Sequence, residues 1–156
     1  MKYIVLAVVI ALAIFYFINN SNKKKLTLEN SAIATNFLAQ NKANADVIET
    51  ASGLQYQVLD KGEGKRHPSA GSTVKVHYHG LLIDGTVFDS SVERDKPISF
   101  SLNQVISGWT EGVQLMVVGD KFKFFIPSKL AYGNRATGKI TPGSLLIFEV
   151  ELLDIQ

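Results

Sequence analysis

Trp109 is the only tryptophan in the chain, and it follows Val105-Ile106-Ser107-Gly108. An indole is the largest flat apolar surface a side chain offers, and it carries one N–H donor. At the start of a short helix, after a β-branched pair and a glycine, it can form the floor of a small pocket. Other chemistry-bearing pairs are weaker. His77 and His79 share one strand face, but no third metal ligand is evident, which favours a solvated face. Glu149 and Glu151 also share a face, on an outward strand edge rather than in a cleft. Gly62-Glu63-Gly64 lacks both phosphate-loop spacing and a following helix, and reads as a turn. The chain has no cysteine, which excludes disulfides and thiol chemistry. So many aromatics and so few reactive groups point to binding, or to catalysis by shape, with no metal and no cofactor expected.

The elements that must hold such a pocket follow from periodicity. Val74, Val76 and Tyr78 alternate with Lys75, His77 and His79, a half-buried strand with its polar face outward. Phe122, Phe124 and Ile126 alternate in the same way with Lys121 and Lys123 and read as core. In the last strand Leu146, Phe148, Val150 and Leu152 oppose Glu149 and Glu151. Leu54–Leu59 and Ile98–Leu102 form two further strands, and Asp84-Gly85 marks a hairpin turn between 80–83 and 86–88. Within the domain only Ser107–Met116 reads as a helix, with Trp109, Val113 and Met116 on one side. The expected architecture is α+β: an antiparallel β-sheet wrapped around one short α-helix.

Ahead of this domain (residues 53–156) lie two segments, 1–22 and 23–52. Tyr3 to Ile18 is an unbroken apolar run between Lys2 and Asn19-Asn20-Ser21-Asn22, followed by three lysines. As a helix it would span about 24 Å against a hydrocarbon core of about 30 Å, a gap that flanking polar residues can partly close. The segment is a membrane anchor or a signal sequence. The only clear small-x-small candidate, Ala11-Leu12-Ala13, lies inside the run, which favours an uncleaved anchor. Charge flanking the run leans by one residue toward a cytoplasm-facing domain. Residues 29–42 are expected to form a polar helix with Ala32, Ile33, Asn36, Phe37 and Gln40 along one stripe, and 41–52 a linker. Of the formal charge of +2, all lies in residues 1–52, so the domain is neutral and lacks the footprint of a nucleic-acid binder.

Four segments then occur in order: VKVHYHGLLIDGTVFDSS (74–91), VISGWTEGVQLM (105–116), IPSKLAYG (126–133) and LIFEVELL (146–153). Together they resemble the tacrolimus-binding immunophilins, the FKBP-type peptidyl-prolyl cis-trans isomerases, and SGLQYQV (52–58) resembles the lead-in of the macrophage-infectivity-potentiator branch. The resemblance covers roughly 51–156 and implies an FKBP-like roll. It also implies site roles: Tyr78, Phe88 and Asp89 as aromatic wall and pocket carboxylate, and Arg94 as the partner of that carboxylate. Val105 and Ile106 would form the rim, with the Ile106 N–H binding a carbonyl. Trp109 would lie under the proline ring, Tyr132 would donate to a bound carbonyl, and Ile140 and Phe148 would complete the lining. Ile98 stands where many members carry an aromatic, and Thr141-Pro142-Gly143 replaces the more usual double proline. The long helical dimerisation segment of that branch is read as absent, so a monomer is expected.

The implied partners are proline-containing polypeptides and macrolides such as tacrolimus or rapamycin. The chemistry asks for no nucleophile. Rotation about X–Pro crosses a barrier near 20 kcal/mol because amide resonance is lost at the twisted state. A dry aromatic pocket favours the less dipolar twisted amide. The expected role is a membrane-anchored folding helper on the periplasmic side of a bacterial inner membrane. The alternatives are secretion after cleavage, a cytoplasm-facing domain, or a non-catalytic module or holdase that grips Pro-containing segments.

Overall fold

The computed structural model describes residues 2–156. The chain begins with one helix, α1 (Lys2–Asn41), followed by β1 (Val47–Glu49), β2 (Gln55–Asp60), β3 (Thr73–Leu82), β4 (Val87–Ser90), β5 (Ile98–Ser101), α2 (Ser107–Val113), β6 (Lys121–Ile126) and β7 (Leu146–Ile155). The strands form one sheet in the order β1-β2-β6-β7-β3-β4, every pairing antiparallel. The outer edge of β3 is shared, β5 pairing with residues 73–76 and β4 with residues 79–81. This is the α+β roll that period-two patterning predicts.

One face of the sheet packs on α2. Leu54, Val74, Val76, Phe124, Ile126, Leu146, Val150 and Leu152 are fully buried there with Val113 and Met116. The helix ends at Val113, three residues before the expected Met116, whose N–H donates instead to the Val113 carbonyl in a closing turn (3.1 Å). Two glycines let α2 lie close to β6. A Cβ on Gly108 would sit 2.5 Å from Ile126 Cγ2, and one on Gly112 would sit 2.6 Å from Phe124 Cε1. The helix is too short to stand alone and is held by this contact.

The other face is covered by the second half of α1. Ala34 is buried with Phe125, Leu145 and Ile147, and Phe37 and Leu38 pack alongside, the Phe37 and Phe125 rings 5.8 Å apart. The buried stripe is therefore turned from the predicted one, and Ile33 is left 54% exposed. The small side chain of Ala34 lets the helix sit down on the sheet there. Gln55 is fully buried beneath this seam, its amide donating to the Leu38 carbonyl (2.9 Å) and Glu49 (2.8 Å) and accepting from Asn41 (2.9 Å). The polar stretch 19–25 does not interrupt the helix: it holds neither glycine nor proline, and the Thr27 hydroxyl donates back to the Lys23 carbonyl (2.9 Å). Within the expected linker, Val47–Glu49 adds a short edge strand.

The α2–β6 contact has a measurable consequence. Gly112→Ala gains about 1 kcal/mol of helix preference but overpacks a rigid core ring at about 1–3 kcal/mol. A net loss of about 1 kcal/mol, and at most about 2, is expected in urea unfolding, and a raised midpoint would show that the contact is slack.

Candidate functional site

Trp109 sits one residue after Gly108, so the close approach of α2 to β6 sets the depth of the indole. It is 4% exposed. Three rings meet it edge-on: Phe148 at 5.3 Å, Tyr78 at 5.4 Å and Phe100 at 5.6 Å, with interplanar angles of 82–87°. Such pairings add about 0.5–1.5 kcal/mol each beyond area burial and hold the indole in one orientation. Its Nε1–H is buried and finds no acceptor among the described residues. An unpaired buried donor costs about 1–3 kcal/mol, which a phenylalanine here would avoid. The floor therefore carries a feature that packing alone does not favour.

Above the indole opens a cavity of about 950 Å³. All eleven residues singled out from the sequence line it: Tyr78, Phe88, Asp89, Arg94, Ile98, Val105, Ile106, Trp109, Tyr132, Ile140 and Phe148. Phe88 and Asp89 are consecutive, and on a regular strand they would face opposite ways. The β3–β4 register passes from Gly80↔Asp89 directly to Leu81↔Val87, a bulge that leaves Phe88 unpaired and re-aims it. Gly80 makes room behind, since a Cβ there would lie 2.7 Å from Phe88 and 2.9 Å from Phe148. Those two phenyls meet at 5.2 Å, nearly perpendicular.

Sequence reasoning missed Phe100, Gln104, Ser107, Ala131, Arg135, Thr137, Gly138 and Lys139, which also line the cavity. Phe100 was legible: it lies two residues from Ile98 on the same strand face. Ile98 is 37% exposed, and Phe100 supplies the aromatic packing on the indole from β5. The residues 135–139 belong to an irregular loop with no periodic signal. Lys139 ties that loop to β4 through the Val87 carbonyl (3.0 Å).

Polar groups converge at one side of the rim. The Tyr78 hydroxyl donates to Asp89 Oδ2 (2.5 Å), Arg94 Nη1 donates to Asp89 Oδ1 (2.6 Å), and Arg94 Nη2 reaches the Tyr78 oxygen (3.2 Å). Arg94 is presented by a tight turn in which Asp95 takes φ 48° and its N–H donates to the Val92 carbonyl (3.0 Å). Burial pulls the Asp89 carboxyl upward, but the Tyr78 and Arg94 hydrogen bonds and the Arg94 charge outweigh it and leave the pKa below the ordinary 3.8. Tyr78 moves the other way, raised by burial and by the carboxylate it faces. With side chains 45% and 50% exposed, the Asp89–Arg94 pair is screened, and its main effect is to place atoms. Across the cavity, the Ile106 N–H and the Tyr132 hydroxyl have no partner among the described residues, leaving two donors free for a carbonyl.

The remaining pairs differ from the sequence expectation in setting: the histidines are half-buried rather than solvated, and Glu149 and Glu151 lie on the interior strand β7 rather than at an edge. His77 Nδ1 and His79 Nδ1 bond the Ser91 and Ser90 hydroxyls (2.8 Å each), and no metal-holding cluster occurs among the described residues. Glu149 pairs across the strand with Lys123 (3.3 Å).

Because the folded pKa of Asp89 lies below its unfolded value, the ionised carboxylate contributes stability above pH 3.8 that is lost as pH falls through the lower folded value. The stability gap between the chain and its Asp89→Asn variant should therefore hold steady above pH about 5 and shrink as pH falls below about 4. Tyr78→Phe should raise the Asp89 titration midpoint in a carboxyl NMR titration, and an unmoved midpoint would contradict the assigned cause.

Comparison with known proteins places this geometry. The family model described as FKBP-type peptidyl-prolyl cis-trans isomerase matches residues 64–153, and that of the domain amino terminal to it matches 12–58. The chain is 54% identical over 142 residues to the FKBP-type peptidyl-prolyl cis-trans isomerase FkpA of Aeromonas hydrophila, covering 89% of this chain and 53% of the relative. It is 45% identical over 129 residues to the Outer membrane protein MIP of Legionella longbeachae, covering 82% and 55%. The crystal structure of FkpA from Escherichia coli superposes with a TM-score of 0.84 at 40% identity, covering 88% of this chain and 64% of that one. The chain spans about half the length of the curated relatives it matches. It belongs to the FKBP-type peptidyl-prolyl cis-trans isomerases.

Proposed function

We propose that residues 53–156 catalyse rotation about X–Pro bonds in polypeptides. The observation that carries this reading is a buried indole floor, ringed edge-on by Tyr78, Phe100 and Phe148, beneath an open cavity with free donors on its wall. A prolyl ring is flat, apolar and without an N–H, and matches such a floor. Ile106 N–H and the Tyr132 hydroxyl bind carbonyls on either side of the ring, while Phe88, Ile140 and Phe148 exclude water. In that dry setting the twisted amide, which has lost resonance and dipole, is favoured over the planar one. Every 1.4 kcal/mol of that difference is about tenfold in rate. Asp89, held by Tyr78 and Arg94, supplies a fixed negative edge beside the rotating carbonyl. The same donors and floor would accept a macrolide such as tacrolimus or rapamycin. The monomer expected from the sequence loses its ground, since residues 12–58 match the domain amino terminal to these isomerases and form most of one long helix.

Residues 4–18 begin the only helix among the described residues that is long and apolar enough to cross a membrane, with a mean hydropathy of 2.2 over its best window. Their side chains are half or more exposed wherever they are large and apolar. We read residues 1–22 as an anchor rather than a cleaved signal, with the domain on the periplasmic side of a bacterial inner membrane. The Legionella relative is named an outer membrane protein, which supports an extracytoplasmic setting.

In a protease-coupled assay on Leu-Pro tetrapeptides, Asp89→Ala and Phe88→Ala should each lower kcat/KM about tenfold or more with the domain still folded. Trp109→Phe should weaken the site more gently. Tight macrolide binding without any acceleration of isomerisation would instead identify a holding module. Protease treatment of spheroplasts should digest the domain, and its survival until lysis would place it in the cytoplasm.

A further inference from the structure

One wall of the cavity is a loop, residues 133–143, with Tyr132 just before it and Ile140 near its end. Its neck is closed by the Gly143 N–H donating to the Gly133 carbonyl (2.8 Å), and Thr137 and Ile140 exchange two backbone hydrogen bonds (2.9 Å each). Residues 134–139 are exposed, yet Pro142 and Gly143 are buried. What meets that base is α1. The Asn30 amide donates to both Thr141 Oγ1 (2.9 Å) and the Pro142 carbonyl (2.8 Å). Gly143, at φ +79°, lies so close that a Cβ would come within 2.7 Å of the Thr27 carbonyl oxygen and 3.2 Å of Ser31 Oγ.

These contacts give a reason for the one loop sequence that departs from the family pattern. A proline at 141 would have no hydroxyl to accept from Asn30, and any side chain at 143 would collide with the helix. Asn is also a weaker helix former than Ala, so its place on α1 is not explained by the helix itself.

We propose that Asn30 is a positioning residue for the catalytic cavity: by gripping Thr141 and Pro142, α1 holds the loop that presents Tyr132 and Ile140. The inference rests on the isomerase reading. Substrate binding to a loop that is only partly in its competent form is weakened by the fraction formed. Loss of the grip should therefore appear in KM, since the bound complex restores the loop, and leave kcat nearly unchanged.

The test uses the full chain in detergent micelles, with Asn30→Ala, Thr141→Val and the double variant. Asn30→Ala removes both bonds while favouring the helix, and Thr141→Val changes an exposed loop position, so folding is preserved on at least one side of the contact. Each single variant should raise KM about three- to tenfold with kcat within about twofold. Amide exchange at Ile140 and Gly143 should quicken in both, and the double variant should add little to the worse single one because the contact is shared. Unchanged KM and unchanged exchange in Asn30→Ala would overturn the proposal, as would a fall in kcat alone. If the unaltered chain shows no isomerase activity the functional reading fails, while the exchange measurement still decides the loop contact.

Discussion

No side chain fits between α2 and strand β6, and the cavity depends on that. Gly108 and Gly112 bring the helix axis down onto Ile126 and Phe124, which lowers Trp109 to the level of the sheet. From that depth the indole can be met edge-on by rings from β3, β5 and β7 at once. A helix held one side chain further out would leave the indole as a wall and the rings packed against each other. The bulge at Phe88 and the space behind it at Gly80 extend the same logic to the rim, where absent atoms again decide where aromatic ones lie.

The sheet is apolar on both faces, which shapes the rest of the chain. The face toward α2 carries the cavity, and the reverse face needs its own cover over Phe125 and Ile147. The second half of α1 provides it and in doing so reaches the 141–143 turn. Charge plays a narrower part. The Asp89, Tyr78 and Arg94 cluster is too exposed to hold the fold together, but its three mutual hydrogen bonds leave the carboxylate no freedom of direction.

Most of the cavity was legible because its residues sit on strands with a clean period of two, or in short ordered motifs around Trp109 and Tyr132. Phe100 obeyed the same period and could have been read from Ile98. The docking of α1 left a fainter trace: Phe125 and Ile147 are apolar at positions where their strands otherwise turn lysine and glutamate outward. Those two exceptions mark a covered patch, but they do not say what covers it. The helical stripe gave the wrong phase, with Ile33 outside and Ala34 inside, because closeness of approach favoured the smaller residue over the more apolar one. The loop lining from Arg135 to Lys139 has no period to read, since irregular backbone follows its anchors at 133 and 143 rather than its own sequence.

The continuity of α1 has a mechanical consequence. Its first packed residues begin near Thr27, and its apolar run ends at Ile18, a rise of about 14 Å along one uninterrupted axis. A helix transmits twist as well as position. Any surface that fixed the azimuth of residues 4–18 would also fix the compass bearing of the cavity mouth, because one helix carries both.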